Sequence, residues 1–293
     1  MLEITTELVR GLIDSQFPQW SDFPIRPVEK SGHDNRTYRL GEAMSVRLPS
    51  HARYAAAVAK ETHWLQQFKS QLSLPIPSPI AVGEPTAQYP LPWSVNRWLE
   101  GETITASNVR DRGRLAQDLA AFLQELQAID ASNGMPAGKH NFYRGGNLAV
   151  YNEDTRMVME KLDSGHDPRL LAEIWALALS TTYTDDPVWV HGDVAVGNLL
   201  VQDGRLSGII DFGTMGTGDP ACDLVMAWTY FDAASRKEFI ANIGAPPDMM
   251  ERARGWALWK ALISYDWNER GSELSKWGRQ VLDAIVDEYE TNV

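Results

Sequence analysis

Three polar side chains that can do chemistry lie among apolar, strand-like residues in the second half of the chain. Asp193 and Asn198 flank a glycine-containing loop, and Asp211 ends the strand that returns from it. A carboxylate in apolar surroundings is unfavourable unless it is paired or coordinates a metal ion. Amide and carboxylate oxygens suit Mg²⁺, which makes Asn198 and Asp211 candidate metal ligands. Asp193 is then left to orient a hydroxyl group and accept its proton.

The order of these residues is typical of phosphoryl transfer. His191 precedes Asp193 by two positions, and Phe212 and Gly213 follow Asp211, so the chain contains H-x-D-x-x-x-x-N and then D-F-G. Protein-kinase-like enzymes use this spacing to place a catalytic aspartate and two metal ligands. The alternative for Asp193 is a simple helix or turn cap. For His191 we expect a structural hydrogen bond within the loop, because Asp193 already serves as the base.

A wider set of residues carries a resemblance to a known family. The pattern runs from His191-Gly192-Asp193 through Gly197-Asn198 and Asp211-Phe212-Gly213 to Gly218-Asp219-Pro220-Ala221-Cys222-Asp223-Leu224. It resembles the aminoglycoside phosphotransferase family, which includes macrolide phosphotransferases and related small-molecule kinases, and the similarity extends from about Val28 to at least Trp228. The resemblance implies an α+β, protein-kinase-like fold with a small β-rich N-terminal lobe and a larger helical C-terminal lobe. It also implies an O-phosphotransferase that uses ATP or GTP with Mg²⁺.

The N-terminal half contains a charge pair that fits this pattern. A helix is predicted over 53–69, and Glu61 lies on its apolar stripe. A buried carboxylate needs a cationic partner, and the nearest suitable residue is Arg47 in the strand 45–48. In kinases a strand cation pairs with a helix glutamate and binds the nucleotide phosphates; here arginine replaces the usual lysine. The alternative is that Arg47 and Glu61 form only a structural ion pair.

A turn between two predicted strands is the candidate nucleotide-covering loop. It contains Gly32, His33, Asp34 and Asn35. Backbone N–H groups in such a turn are suited to contact phosphates. One glycine is too few for a phosphate-binding glycine motif, however, and a plain hairpin turn explains the segment nearly as well.

The run 93–101 resembles the hinge that binds adenine through main-chain hydrogen bonds in this family. Arg97 and Leu99 are the predicted contacts, with an uncertainty of one or two positions along the chain. Together with Arg47, Glu61 and the turn, they complete the predicted nucleotide site.

For three other polar residues we predict mainly structural roles. Asp219 is expected to cap a helix N-terminus, and Asp223 is a candidate to brace the loop that carries Asp193. Arg144 stands between an aromatic pair and two glycines in a loop before the catalytic motif. It is either an exposed loop residue or one that reaches the site, since functional residues favour loops.

The order of elements predicts two lobes. Short strands and one helix occupy the first hundred residues, and helices predominate afterwards, at about 107–129, 168–181 and beyond residue 219, around a small β insert. We therefore predict a nucleotide-binding lobe over 1–98 and a catalytic, acceptor-binding lobe over 99–293. A short linker near residue 98 would place a cleft between the two lobes, where ligands commonly bind.

Composition narrows the class of protein. The chain has 293 residues and a formal net charge of −12, with no long basic run, which argues against nucleic acid as a partner. The single cysteine, Cys222, excludes an internal disulfide and a cysteine-based zinc site, and indicates a reducing, cytoplasmic environment. No secretory signal and no membrane-spanning stretch is recognisable, so we expect no membrane partner.

The expected partner is a small molecule with a hydroxyl group, and the sequence is compatible with several classes of such molecules. An aminoglycoside would need a carboxylate-lined pocket, and a macrolide would need apolar and aromatic walls. The C-terminal helices contain both kinds of residue, although Trp256 and Trp259 follow the helical spacing of a core stripe. The segment 265–269 mixes aromatic and acidic residues, as sugar and cation sites do. A choline- or sugar-kinase-like enzyme and a non-catalytic pseudokinase remain alternatives.

Overall fold

The computed structural model describes residues 3–29, 32, 34–266 and 271–292. The chain divides into two compact units. The first contains Met1–Glu102 together with Ser207–Gly213, and the second contains Thr103–Leu206 together with Thr214–Val293.

The first unit is built on an antiparallel sheet with strand order β1-β2-β3-β5-β4. Its helices are α1 (Thr6–Gln16) and α2 (Ala55–Phe68), and its strands are β1 (Ile25–Pro27), β2 (Asn35–Leu40), β3 (Met44–Pro49), β4 (Pro79–Gly83) and β5 (Trp93–Arg97). Turns at 41–43 allow β2 and β3 to form a tight hairpin, in which Thr37 pairs with Arg47. Arg47 therefore lies in the central strand of the sheet.

The core of this unit lies between α1 and the sheet. Thr5 caps α1 by accepting a hydrogen bond from the Leu8 amide, which fixes where the helix begins. The buried face of the helix packs against apolar side chains of the central strands: Val9, Leu12 and Ile13 from α1, and Leu40, Val46, Trp93 and Val95 from the sheet. Burial of these side chains stabilises the sheet that carries Arg47.

The second unit is mostly helical. Its helices are α3 (Arg112–Gln127), α4 (Asn152–Lys161), α5 (Pro168–Ser180), α6 (Met226–Thr229), α7 (Ala233–Ile243), α8 (Pro247–Asp266) and α9 (Glu273–Asn292). Its strands are β6 (Glu102–Thr103), β7 (Val188–Val190), β8 (Leu199–Gln202), β9 (Arg205–Ile209) and β10 (Gly216–Gly218). The boundary between the two units falls within β6 and within β9. Strand β7 pairs antiparallel with β10, and Trp189 lies opposite Thr217.

Helix α8 is the central element of the second unit. Every residue from Arg252 to Trp259 is buried, because α5, α9 and the 3₁₀ turn 220–225 pack against different sides of the helix. A helix that is buried all round lies in a core, whatever its polar content. The prediction that Trp256 and Trp259 belong to a core stripe is confirmed. The same helix also carries arginine and lysine side chains into the interior.

The predicted fold class is confirmed, one helix boundary was wrong, and one helix was missed. The helix predicted over 107–129 begins at Arg112, because Asn108 accepts a hydrogen bond from the Thr105 amide in a preceding turn and Asp111 supplies the helix cap. Helix α4 was not predicted. It buries few side chains, so its sequence lacks a strong apolar stripe.

The grouping of the chain differs from the predicted division into 1–98 and 99–293. The first unit reaches Glu102 and also includes Ser207–Gly213. The amide of Ile209 donates a hydrogen bond to the carbonyl of Pro75, which ties the end of β9 to the first unit. Within the described ranges, every helix is too short or too polar to cross a bilayer.

We predict that Gly83→Ala destabilises the protein. A Cβ atom at this position would lie 1.9 Å from Cε2 of the buried Trp93 indole, so the ring or strand β4 must shift. Overpacking of this kind costs about 1–3 kcal/mol of unfolding free energy. Urea denaturation measures the change. The control is Gly11→Ala in α1, where a Cβ meets nothing within 4 Å and helix propensity improves. Equal stability of the two variants would contradict the packing argument.

Candidate active site

A buried charge cluster occupies the first unit. Arg47 lies in β3 between Thr37 of β2 and Ser94 of β5. Its Nη1 donates to both carboxylate oxygens of Glu61 in α2 at 3.2 Å, and its Nη2 donates to Oδ1 of Asp211 at 2.9 Å. The predicted Arg47–Glu61 pair is therefore present. Its extension to Asp211 was not predicted.

The electrostatics of this cluster favour a charged arginine. Burial alone would lower the pKa of Arg47, but the carboxylates of Glu61 and Asp211 outweigh burial and hold the pKa above its usual value. Burial raises the pKa of Glu61, and the like charge of Asp211 adds to this effect while Arg47 opposes it. Burial also lowers the pKa of the adjacent Lys60 to about 8. One strong cation thus serves two carboxylates.

The backbone around Asp211 is specialised. Asp211 has a φ of 65°, in the left-handed region that few residues other than glycine, asparagine and aspartate adopt. The main-chain bond from Ile209 to Pro75 holds the strand that precedes it. With Oδ1 bound to Arg47, the carboxylate retains its second oxygen for another ligand.

The catalytic-loop motif lies in the second unit, directly after β7. His191 is fully buried, and its Nδ1 accepts a hydrogen bond from the Asp193 amide at 3.2 Å. The Nδ2 atom of Asn198 donates to the Asp193 carbonyl at 2.9 Å and to the Asp193 Oδ2 at 3.2 Å. The expected structural role of His191 is therefore present. Because a carboxylate only accepts, the amide of Asn198 turns its nitrogen to Asp193 and its oxygen away.

Asp223 holds the backbone at the start of this loop. It is fully buried and accepts hydrogen bonds from the amides of His191 and Gly192, both at 2.7 Å. Gly192 has a φ of +82°, and a Cβ atom there would lie 2.5 Å from the Thr214 carbonyl oxygen. Only glycine fits this position without strain. The expectation that Asp223 braces the loop is confirmed.

Asp219 caps the 3₁₀ turn that begins at Pro220, as predicted, by accepting from the Ala221 amide at 3.0 Å. It also binds Nε of Arg252 at 2.6 Å, an ion pair with both side chains buried. Both residues lie in the wall of a nearby cavity of about 130 Å³. Because they form an ion pair, the charge of Asp219 is already neutralised by Arg252.

Lys260 of α8 is a site residue that the sequence did not indicate. Its Nζ lies 3.0 Å from Oδ1 of Asp193, whose side chain is 39% exposed. Burial would raise the pKa of Asp193, but the charge and hydrogen bond of Lys260 outweigh it, with further contributions from His191 and Arg144, so the pKa lies below its usual value. Asp193 is thus kept ionised. The only available signal was the position of Lys260 beside Trp259.

Arg144 also lies at this site and is not an exposed loop residue. Its guanidinium carbon is 4.3 Å from the centre of the Trp259 ring and 5.5 Å from that of Trp256. Tyr265 donates to the Asp163 carbonyl at 2.7 Å, and residues 267–269 of the acidic and aromatic segment lie outside the described residues.

The predicted nucleotide loop is placed only in part. Gly32 is exposed, and its carbonyl accepts from Arg36 at 2.8 Å. The Asp34 carbonyl accepts from the Ser50 amide at 2.8 Å, and Asn35 opens β2. His33 lies outside the described residues. The placed residues thus adjoin the hairpin that carries Arg47.

The two predicted hinge residues differ in what they can offer. Arg97 is exposed at the end of β5, but its amide already donates to the Ser78 carbonyl at 2.9 Å. The next amide, of Trp98, donates to Ala43 at 2.8 Å. Leu99 follows the strand and is the more suitable of the two for main-chain recognition of a base.

The candidate metal ligands have suitable chemistry. Asn198 turns its carbonyl oxygen away from Asp193, and Asp211 keeps one carboxylate oxygen beyond Arg47. Mg²⁺ is usually held by one or two such oxygens together with substrate phosphates, and does not need a cage of protein groups. No cluster of three or more metal-binding His, Cys, Asp or Glu side chains occurs among the described residues. The donors fit Mg²⁺.

The fold of this chain, with its Asp–Asn loop, is that of the kinase-like class of proteins. The sequence model described as the phosphotransferase enzyme family matches residues 25–256. The chain belongs to that family.

Known relatives agree with this membership. An aminoglycoside 3'-phosphotransferase from Escherichia coli is 26% identical over 164 residues, which cover 53% of this chain and 60% of the relative. A second, from Salmonella typhimurium, is 26% identical over 165 residues, with 54% and 60% covered. The matches therefore span about 60% of the length of these curated relatives.

Solved structures share the fold. A GDP complex of aminoglycoside 2'-phosphotransferase-IIIa has a TM-score of 0.74 at 20% identity and covers 99% of this chain and 100% of its own. The macrolide 2'-phosphotransferase MphH from Brachybacterium faecium has a TM-score of 0.65 at 19% identity, with 94% and 98% covered. The predicted kinase-like fold is confirmed by these likenesses.

We predict a pH-dependent stability difference between the wild type and Asp193→Asn. A pKa below the usual value means that ionised Asp193 stabilises the fold at neutral pH, and that this stabilisation is lost as the pH falls through the folded pKa. The deficit of Asp193→Asn in unfolding free energy should shrink between about pH 5 and pH 3. Urea denaturation across this range measures it. In Lys260→Met, the lysine no longer opposes the effect of burial, so the pKa of Asp193 should be higher. The stabilisation by ionised Asp193 should therefore be lost at a higher pH than in the wild type. A pH-independent difference would refute the assignment.

Proposed function

We propose that this protein transfers the γ-phosphoryl group of ATP or GTP to a hydroxyl of a small molecule, such as an aminoglycoside or macrolide antibiotic. The observation that carries the proposal is the hydrogen-bonded Asp193 carboxylate, kept ionised by Lys260 and oriented by Asn198. A carboxylate held in this state orients an acceptor hydroxyl and takes its proton as the phosphoryl group arrives. Relatives named as aminoglycoside 3'-phosphotransferases support the choice of acceptor.

The first unit is proposed to bind the nucleotide. Arg47, held by Glu61 and Asp211, is proposed to contact phosphate oxygens, to which a guanidinium can donate more than one hydrogen bond. Gly32, His33, Asp34 and Asn35 are proposed to cover the nucleotide, and Arg97 and Leu99 to border the base. A solved GDP complex of a protein with the same fold supports this proposal.

Mg²⁺ is proposed as the metal, with Asn198 and Asp211 as its protein ligands. When bound, it neutralises charge on the phosphates and helps to align them. Asp211 shares Arg47 with Glu61, so a cation bound at its second carboxylate oxygen would be favourable. We also propose a cytoplasmic location, in keeping with the single reduced cysteine.

We predict that Asp193→Asn lowers kcat by about 10²–10⁴-fold, because the amide keeps the shape of the side chain but cannot take the proton. A coupled assay of ADP or GDP release against a panel of aminoglycosides and macrolides measures turnover. Asp203→Asn is the matched control, since Asp203 is exposed in the turn after β8. Near-normal turnover in Asp193→Asn would refute the proposed function.

We predict that Arg47→Lys raises the KM for the nucleotide by about tenfold, since lysine keeps the charge but loses the two-point contact. Arg47→Ala should raise KM further and also lower stability, because it leaves Glu61 buried without its partner. Steady-state kinetics with varied nucleotide, together with urea denaturation, separates the two effects.

The control for this pair is Arg26→Ala, an exposed arginine of β1 in the same sheet. An unchanged nucleotide KM in Arg47→Lys and Arg47→Ala, alongside a loss of stability in Arg47→Ala, would show that the cluster is only structural.

A further inference from the structure

A small pocket opens beside the Asp193 carboxylate, wholly within the second unit. Its walls include Arg144, Asp193, Cys222, Trp256, Trp259 and Lys260, and its volume is about 10 Å³. A cavity of about this size holds one water molecule, whereas pockets that take whole drug-sized molecules usually hold about 300–1,000 Å³. This pocket is therefore suited to one oxygen atom of a ligand whose reacting hydroxyl lies at Asp193.

Two hydrogen-bond donors in this wall lack partners. Across the part of the chain that the structure describes, Nη1 of Arg144 and Nε1 of Trp256 are buried and make no hydrogen bond. A buried donor without an acceptor is unfavourable, and native proteins rarely leave one unmatched. The two donors belong to side chains that pack together, with the Arg144 guanidinium carbon 5.5 Å from the Trp256 ring centre.

Arg144 is also held in place. Its guanidinium stacks 4.3 Å from the centre of the Trp259 ring, and Tyr151 packs on the same ring at 4.4 Å. Tyr151 in turn donates a hydrogen bond to the Phe142 carbonyl of the Arg144 loop. A donor positioned this way needs little reordering when a ligand arrives, which favours binding.

The charges of the wall point to the same class of ligand group. Asp193 is neutralised by Lys260, whereas Arg144 adds a positive charge with no carboxylate within ion-pair distance among the described residues. Burial raises the pKa of Cys222, so its thiol stays neutral. Two other carboxylates of this unit already have partners: Asp223 accepts hydrogen bonds from two backbone amides, and Asp219 forms an ion pair with Arg252. An ammonium group here would meet two cations, and an oxygen group would meet two donors.

We propose that the acceptor carries, next to the hydroxyl that is phosphorylated, an oxygen group that accepts hydrogen bonds from Arg144 and Trp256. A carboxylate is the strongest fit, a carbonyl is compatible, and an ammonium is excluded from this position. This inference rests on the proposed phosphotransferase function and narrows its acceptor class. It ranks oxygen-rich or acidic acceptors above polycationic aminoglycosides.

The first experiment compares acceptors that differ only at one ring substituent. Nucleoside diphosphate release is measured with glucuronate against 6-amino-6-deoxyglucose and with galacturonate against 6-amino-6-deoxygalactose, because each pair carries a carboxylate or an ammonium group at the same carbon. We expect kcat/KM to be at least tenfold higher for the carboxylate-bearing member of each pair. An equal or higher kcat/KM for the amino sugars would overturn the inference.

The second experiment removes each donor while keeping its packing. Arg144→Met retains a long apolar side chain against Trp259, and Trp256→Phe retains the ring without Nε1. We expect Arg144→Met to raise KM for the better oxygen-bearing acceptor about tenfold with kcat within threefold, and Trp256→Phe to act in the same direction. Arg279→Met, an exposed arginine of α9, is the control.

A binding measurement without turnover separates this role from a structural one. Glucuronate titrated against tryptophan fluorescence, with no nucleotide present, should give saturable quenching that Arg144→Met abolishes. The melting temperature of Arg144→Met should be unchanged or higher, because a buried unpaired donor is removed. A lower melting temperature with equal losses for all acceptors would show that Arg144 is only structural.

The outcomes distinguish failure of this inference from failure of the proposed function. Turnover that depends on Asp193 but not on Arg144 would overturn the inference alone. No turnover above the Asp193→Asn background with any acceptor, despite nucleotide binding, would overturn the phosphotransferase proposal and this inference with it.

Discussion

The catalytic loop depends on one buried carboxylate, Asp223, which accepts the amides of His191 and Gly192. A fully buried acid is costly unless its oxygens are bonded, and two backbone amides at the start of a loop meet that need. The same bonds set the loop's path, in which Gly192 takes a positive φ and the Asp193 amide turns back to His191. The functional carboxylate is therefore positioned by one that plays no part in chemistry.

Both units contain partly buried carboxylates, and each unit pairs them with cations in a different way. In the first, Arg47 binds the two carboxylates of Glu61 and Asp211, and the charge of Lys60 also acts on Glu61. In the second, Lys260 neutralises Asp193, and Arg144 adds positive charge beside it. We propose a metal ion with nucleotide phosphates as the ligand of the first and an oxygen-bearing acceptor as that of the second. Both follow from the cost of leaving a partly buried charge unpaired.

The aromatic residues of the C-terminal helices have a different role from the one that their number alone suggests. Trp256 and Trp259 are buried in the core around α8, yet each presents one edge or face to the pocket wall. Their contribution to recognition is to hold Arg144 and to offer one indole N–H. Selectivity then comes from charge and hydrogen bonding, and the aromatic bulk supplies the rigid support.

Elements and motifs that depend on neighbours along the chain can be predicted from the sequence. The helix over 53–69 followed from its periodicity, and the kinase-like class followed from the spacing of Asp193, Asn198 and Asp211. Even the Arg47–Glu61 pair followed from an acid on an apolar stripe. The tertiary structure alone decided that Lys260 meets Asp193 across 67 residues and that Asp211 meets Arg47 across 164. Such partners are set by packing of distant elements, and no periodicity or local spacing records them.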